Sequence, residues 1–265
     1  MKILFIGDIV GKPGRRAICE LLPRIIEEHR IDFVIANCEN AASGFGVTAE
    51  ITEELYGAHI DVLTSGNHIW DKKEVMEFVD DDETLLRPAN YPEGAPGRGS
   101  VVVHASGGIS VGVLNLAGRI FMHPIDCPFR TAERELEKLR KRARVIIVDM
   151  HAEATSEKIA MGWYLDGKVT AVLGTHTHVQ TADERILPGG AAYITDAGMT
   201  GPFDSVIGIK KENILQRFLL QIPNKFEVAK GDVRLQGVMV EVAPDGRAAA
   251  VERLSVSLEE PGRPF

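Results

Sequence analysis

The chain has 265 residues and a mass of 29.0 kDa, with 45% hydrophobic and 26% charged residues, enough to bury a substantial core as a single domain over residues 1–265. A formal charge of -8 and an isoelectric point near 5.5 argue against a sequence-independent grip on DNA or RNA, and admit a small anionic substrate only if metal supplies positive charge. Three scattered cysteines, Cys19, Cys38 and Cys127, argue against a disulfide framework, favour a reducing compartment and read as small buried hydrophobes.

The opening MKILFIGD is too short an apolar run to span a bilayer and lacks the form of a signal peptide. No later segment is long and uncharged enough either, so the expectation is a cytoplasmic protein without membrane contact. KILFIGD, PGRRAICELLPRIIEEHR, DFVIANCEN, TAEITEELYGAH and DVLTSGNHIWD then follow a βαβαβ rhythm. Pro13 suits a first helical turn, whereas Pro23 argues against one continuous helix. PEGAPGRG is a loop, and SVVVHA and ISVGVLNLAG flank an SGG turn as a hairpin that opens a second sheet.

PFRTAERELEKLRKRA is an amphipathic helix, after which RVIIVDMHAEATSEK and KVTAVLGTHTHVQTAD are hydrophobic strands ending in polar residues. A hairpin at DERILPGGAAYIT, a helix at KENILQRFLLQI and a closing β segment turning at Pro244 to Gly246 complete the pattern. Two sheets built from discontinuous stretches imply an α/β (α+β-like) fold, a four-layer α-β-β-α sandwich of two mixed sheets. The polar residues at its strand ends would converge on one edge.

Those strand ends carry GD (Gly7, Asp8), NCEN (Asn37 to Asn40), GNH (Gly66 to His68), DMHAE (around His151) and GTHTH (Gly174 to His178). Carboxylates, amide oxygens and imidazoles together suit Mn, Fe or Zn ions, since Mg and Ca prefer oxygen shells and structural Zn prefers thiolates. On an extended segment His176 and His178 point the same way, so two imidazoles can face two neighbouring ions.

These motifs, in this order over residues 7 to 178, resemble the calcineurin-like metallophosphoesterase superfamily. The runs GDIVGKPGR, NCENAASGFGVT, SGNHIWD, DMHAE and GTHTHVQTAD resemble more specifically its bacterial YmdB-like branch. The resemblance implies hydrolysis of cyclic phosphodiesters, including 2′,3′-cyclic nucleotides, with two metal ions per subunit, Fe or Mn foremost and Zn next, in a homo-oligomer. It also implies that Asp8 and His178 bind one ion, that Asn67, His151 and His176 bind the other, that Glu39 bridges them and that His68 is the proton donor. Val10 stands where the wider superfamily has a ligand His, and Glu39 where it usually has Asp; in the YmdB-like branch Asn40 fills the gap. Two divalent ions less Asp8, Glu39 and a bridging hydroxide leave roughly +1 to receive a phosphate.

His29, His59, His104 and His123 read as ordinary surface or structural residues, and Asn37 as a turn cap after its strand. GDIVGKPG has Pro13 where a Walker loop needs Ser or Thr, which argues against a nucleoside-triphosphate cradle. SGFG (Ser43 to Gly46) and GRIFMHP (Gly118 to Pro124) are loops that could border the substrate through Arg119 or Phe121. The alternatives to a phosphodiesterase are a phosphomonoesterase or nucleotidase, and a regulatory nucleotide-binding module without turnover.

Overall fold

The structure, a computed structural model, describes residues 1–258. In chain order the elements are β1 (Lys2–Ile6), β2 (Asp8–Ile9), α1 (Gly11–His29), β3 (Phe33–Asn37), α2 (Ala49–Gly57), β4 (Val62–Thr64), α3 (Val75–Phe78), β5 (Ser100–His104), β6 (Ser110–Ala117) and α4 (Pro128–Leu139). They continue with β7 (Val145–His151), α5 (Thr155–Leu165), β8 (Ala171–Thr175), β9 (Arg185–Ile186), β10 (Ala192–Ile194), β11 (Met199–Pro202), α6 (Lys211–Leu220), β12 (Val233–Val242) and β13 (Ala248–Ser257).

The period-two pattern of the strands decides the layers. In β1, Ile3 and Phe5 face one way and Leu4 and Ile6 the other, and Phe33 and Ile35 oppose Val34 and Ala36 in β3 in the same manner. Ile3, Phe5, Ile35, Val238 and Val240 of one sheet meet Val111, Val113, Ile147, Leu173 and Ile194 of the other in a shared central core. The outward face of the first sheet is covered by Ile18, Leu22 and Ile25 of α1 and Ile51 and Leu55 of α2. That of the second is covered by Leu136 and Leu139 of α4 and Met161 and Leu165 of α5. The four-layer α-β-β-α sandwich expected from the sequence is the fold.

The first sheet runs β2-β11-β12-β1-β3-β4, with β13 beside β12; the second runs β5-β6-β7-β8-β10-β9. β1, β3 and β4 are parallel, as are β6, β7, β8 and β10, so their carboxyl ends share an edge in each sheet. The β5–β6 hairpin, the β9–β10 hairpin, α6 and the β12–β13 pair all form where the sequence places them.

Three local expectations change. α1 runs unbroken through Pro23, whose missing N–H would have bonded the carbonyl of Cys19 on the solvent side of the helix. The stretch after His151, expected to be a strand tail, becomes α5. Cys38 is a buried free thiol, as expected, but Cys19 is exposed.

No helix among the described residues is long and apolar enough to cross a membrane.

Candidate metal centre

Each polar cluster follows the carboxyl end of a parallel strand or, for Asp8, opens the short β2 just beyond β1, and the seven expected ligand residues come together there. The tightest part is built around His151 Nε2. Glu39 Oε1 lies 3.0 Å from it, His176 Nδ1 3.0 Å and Asn67 Oδ1 3.1 Å. One ring nitrogen can serve one hydrogen bond, so three polar neighbours at that range are not a hydrogen-bond network. Donor atoms surrounding one ion at about 2.0–2.2 Å lie about 3 Å apart, which is the spacing seen. Glu39, His151 and His176 each offer a ligand atom within 4.8 Å of the others.

The second part adjoins it. Asp8 is fully buried, and its Oδ1 lies 3.8 Å from His178 Nε2 and 3.9 Å from His151 Nδ1. Asn40 Oδ1 is 3.3 Å from His178 Nε2, its amide held in that orientation by donating to the Gly44 carbonyl at 2.9 Å. Val10 lines the same cleft as an apolar wall, so Asn40 supplies the oxygen there. Asp8 Oδ1 and Glu39 Oε1 are buried with no hydrogen-bond donor, a costly arrangement for carboxylates unless a cation takes up their lone pairs. On that observation the residues fit divalent metal.

Hydrogen bonds behind the cluster fix which imidazole nitrogen faces it. Thr175 Oγ1 donates to Asp149 Oδ1 at 2.7 Å and so accepts from His151 Nδ1 at 2.9 Å, turning the Nε2 lone pair toward the cluster. His178 Nδ1 donates to the Ile207 carbonyl at 3.0 Å, leaving Nε2 for the site. His176 Nε2 meets Glu153 Oε2 at 3.2 Å, leaving Nδ1. Replacing Glu153 by Gln is therefore expected to weaken metal binding about 10- to 100-fold by calorimetry, without loss of fold.

The electrostatics suit a cation. Burial depresses the basicity of His151, but Glu39, Asp8 and Asp149 outweigh it and lift its pKa to about 9. Burial and the adjacent His151 push His176 down to about 3, which keeps its lone pair free. Burial would raise Glu39, yet His151 holds that carboxyl down at about 2; burial raises Asp8 against the opposing pull of His178 and His151.

Backbone conformation brings these groups close. A Cβ on Gly66 would lie 2.2 Å from the His151 ring and 2.4 Å from Glu39 Oε2, so only glycine fits in GNH. His176 and His178 have φ of 99° and 63°, so the HTH segment is a tight left-handed turn and not the extended run expected. Both imidazoles still reach the cluster, because the turn folds around Asp196.

His68 stands at the cleft mouth, its N–H donating to Glu39 Oε2 at 3.0 Å and its Nδ1 donating to Asp71 Oδ2 at 2.8 Å. Asn37 caps as expected, its Oδ1 accepting from the Glu39 N–H at 3.1 Å while its amide donates to Asp149. The GRIFMHP loop does border the centre: Phe121, Met122 and His123 line a depression with Asn67 and His176, so His123, expected to be structural, lies at the site. Asp149, Glu153 and Thr175 were missed because their roles depend on contacts with distant parts of the chain, whereas Asp71 lies only three residues after His68, a spacing that could have found it.

This donor set at the edge of a four-layer α-β-β-α sandwich defines a phosphoesterase of the calcineurin-like metallophosphoesterase type. The chain matches the model of the YmdB-like protein family over residues 4–254, and it belongs to that family. It is 49% identical over 258 residues to a 2′,3′-cyclic-nucleotide 2′-phosphodiesterase of Bacillus subtilis, covering 97% of each chain. Among solved structures it resembles a hypothetical protein from Thermus thermophilus, with a TM-score of 0.92 and 45% identity over 97% of this chain and 99% of that one. It also resembles a phosphatase from Mycoplasma pneumoniae, with a TM-score of 0.92 and 36% identity over 98% of this chain and 95% of that one.

Proposed function

We propose that this chain hydrolyses 2′,3′-cyclic nucleotides and related small cyclic phosphodiesters in a two-metal site. The observation that carries this reading is the convergence of Glu39, Asn67 and His176 on His151 Nε2, beside a second donor group of Asp8, Asn40 and His178. In this reading Glu39, whose Oε1 faces His151 Nε2, would be the ligand shared by the two groups. Divalent metal bound there, Fe or Mn foremost and Zn next, would supply an activated water and positive charge for the phosphoryl oxygens.

The chain's own residues perform the remaining tasks. The water oxygen, having released one proton to solvent, forms a bond to phosphorus as the bond from phosphorus to the ribose 2′ oxygen breaks. His68 hands that oxygen its proton and later regains one from solvent, and a nucleoside 3′-phosphate results. The Asp71 carboxylate on Nδ1 orients the ring and leaves Nε2 for the departing oxygen. Replacing His68 by Ala is expected to lower kcat by about 10²- to 10³-fold with metal content intact, and Asp71→Asn by a smaller factor. A substrate with an activated aryl leaving group, which needs no proton, should lose far less in both variants; equal losses on both substrates would remove His68 from the donor role.

A monoesterase is the second reading, supported by the relative that is named a phosphatase. Comparing a bis-aryl with a mono-aryl phosphate on one preparation separates the two. The main test is metal content and 2′,3′-cyclic AMP hydrolysis before and after chelation and Mn²⁺ or Fe²⁺ readdition. About two metals per chain with activity that follows them supports the proposal; a folded, inactive protein that takes up no metal sinks it and favours a non-catalytic nucleotide-binding module. We further take the chain to act as one cytoplasmic catalytic domain within a homo-oligomer, which sedimentation velocity checks.

A further inference from the structure

Phe226 stands in the wall of two clefts. One is the cleft of about 310 Å³ that holds Glu39, Asn40, His68, His176 and His178. The other is a groove of about 470 Å³ between the first turn of α1 and the segment that follows α6, lined by Lys12, Arg16, Lys225 and Lys230. Lys12, Lys225 and Lys230 are exposed, and Arg16 pairs with Glu20 at 2.7 Å. The acid in the groove lining, Glu227, is engaged by Lys210 at 2.5 Å. Positive charge is thus concentrated beside the metal centre of a chain whose net charge is -8.

The partition between the clefts is aromatic. Phe45 stacks on Phe226, with ring centroids 6.5 Å apart and planes 23° from parallel. Phe45 also meets the His68 ring edge-on at 5.0 Å, so a continuous step leads from the proposed proton donor to the basic groove. Ser43 lines the groove while Gly44 and Phe45, the next residues, line the metal cleft. A basic groove that tracks phosphates, joined to aromatic faces on which bases stack, is the combination that holds single-stranded nucleic acid.

The chemistry of the substrate gives this surface a use. A 2′,3′-cyclic phosphate arises when a ribose 2′-oxygen attacks its adjacent phosphodiester, the bond to the next 5′-oxygen breaks, and the 2′-hydroxyl proton passes to that leaving oxygen. The cyclic ester is then left at the 3′ end of an RNA fragment, with further phosphates upstream.

We infer that the substrate class includes oligoribonucleotides ending in a 2′,3′-cyclic phosphate. The terminal nucleoside lies against Phe45 and Phe226, and the upstream phosphates enter the groove of Lys12, Lys225 and Lys230. This rests on the cyclic-diester activity proposed above.

The test compares 2′,3′-cyclic AMP with a hexaribonucleotide bearing the same terminal ester, in wild type and in a Lys12→Glu/Lys225→Glu/Lys230→Glu variant. In wild type the hexamer is expected to have a kcat/KM about tenfold or more above the mononucleotide at low salt, an advantage that falls with added salt. In the variant that advantage disappears while turnover of 2′,3′-cyclic AMP is unchanged. Equal kcat/KM for the two substrates in wild type, or a preference that survives in the variant, overturns the inference. Anisotropy with a fluorescent 3′-phosphorylated hexaribonucleotide reads the groove without turnover, so an enzyme inactive on both cyclic substrates would sink the phosphodiesterase reading alone. Binding of phosphatidylglycerol vesicles through these lysines, with no binding of the hexamer, would assign the groove to a membrane surface and overturn the inference.

Discussion

Replacing Glu39 by Gln is expected to lower kcat/KM for 2′,3′-cyclic AMP by on the order of 10³- to 10⁴-fold and to strip metal from the protein. The substitution keeps volume and shape and removes one negative charge. That charge is buried, with Oε1 3.0 Å from His151 Nε2 and Oε2 accepting the His68 N–H at 3.0 Å. A neutral amide leaves Asp8 as the carboxylate among the seven proposed ligands. An amide NH₂ in place of Oε1 would point a donor toward the metal position, and in place of Oε2 it would oppose the His68 N–H. Either orientation loses one half of what Glu39 does. Metal analysis, steady-state kinetics and denaturant unfolding on one preparation separate the outcomes. Full metal content with activity within about tenfold of wild type would exclude Glu39 as the bridge, whereas loss of metal with an unchanged unfolding midpoint is the expected result.

The parts of this centre that were legible in the sequence, and the parts that were not, differ for a physical reason. Apolar patterning is local, so KILFI and DFVIAN could be read as buried strands of a βαβαβ unit before any contact was known. Residues placed just past parallel strands must gather at one sheet edge, so the GD, NCEN, GNH, DMHAE and GTHTH clusters could be grouped from order and spacing, while the choice of Asp8, Glu39, Asn40, Asn67, His151, His176 and His178 among them came from the resemblance to the YmdB-like branch. What supports them lies across the fold. Asp149 reaches Asn37 from 112 residues away, and the alignment of Thr175 with His151 depends on the pairing of β7 with β8. The positive φ of His176 and His178 was hidden because non-glycine residues give no sign of a left-handed turn. Pro23 misled for the opposite reason: its cost depends on which side of the helix loses the hydrogen bond, and that is set by packing.

Lys158 shows the same limit, and it carries the largest expected effect on stability. In α5 it occupies the helical register of Met161 and Leu165, the face turned to the core, and it is 1% exposed. Its Nζ donates to Asp196 Oδ2 at 2.7 Å; that same oxygen accepts from the Thr177 N–H at 3.0 Å and the Thr177 hydroxyl at 2.7 Å, while Oδ1 accepts from the Gly198 N–H at 2.8 Å. Thr177 lies between His176 and His178, so this buried pair clamps the turn that presents both imidazoles. Removing one partner leaves a charge buried without its counterion, and Lys158→Ala is expected to cost about 3–5 kcal/mol of folding stability. For a chain of this size that is a fall in Tm of roughly 6–20 °C. Removing both charges in Lys158→Met/Asp196→Asn should restore much of the stability, because no uncompensated ion remains. It should not restore metal affinity in full, since a neutral amide holds Thr177 less tightly than the carboxylate did. Unfolding curves and metal titrations on the single and double variants check both halves. A single variant that unfolds within about 1 kcal/mol of wild type would mean that water reaches the pair and the clamp is not what holds the turn.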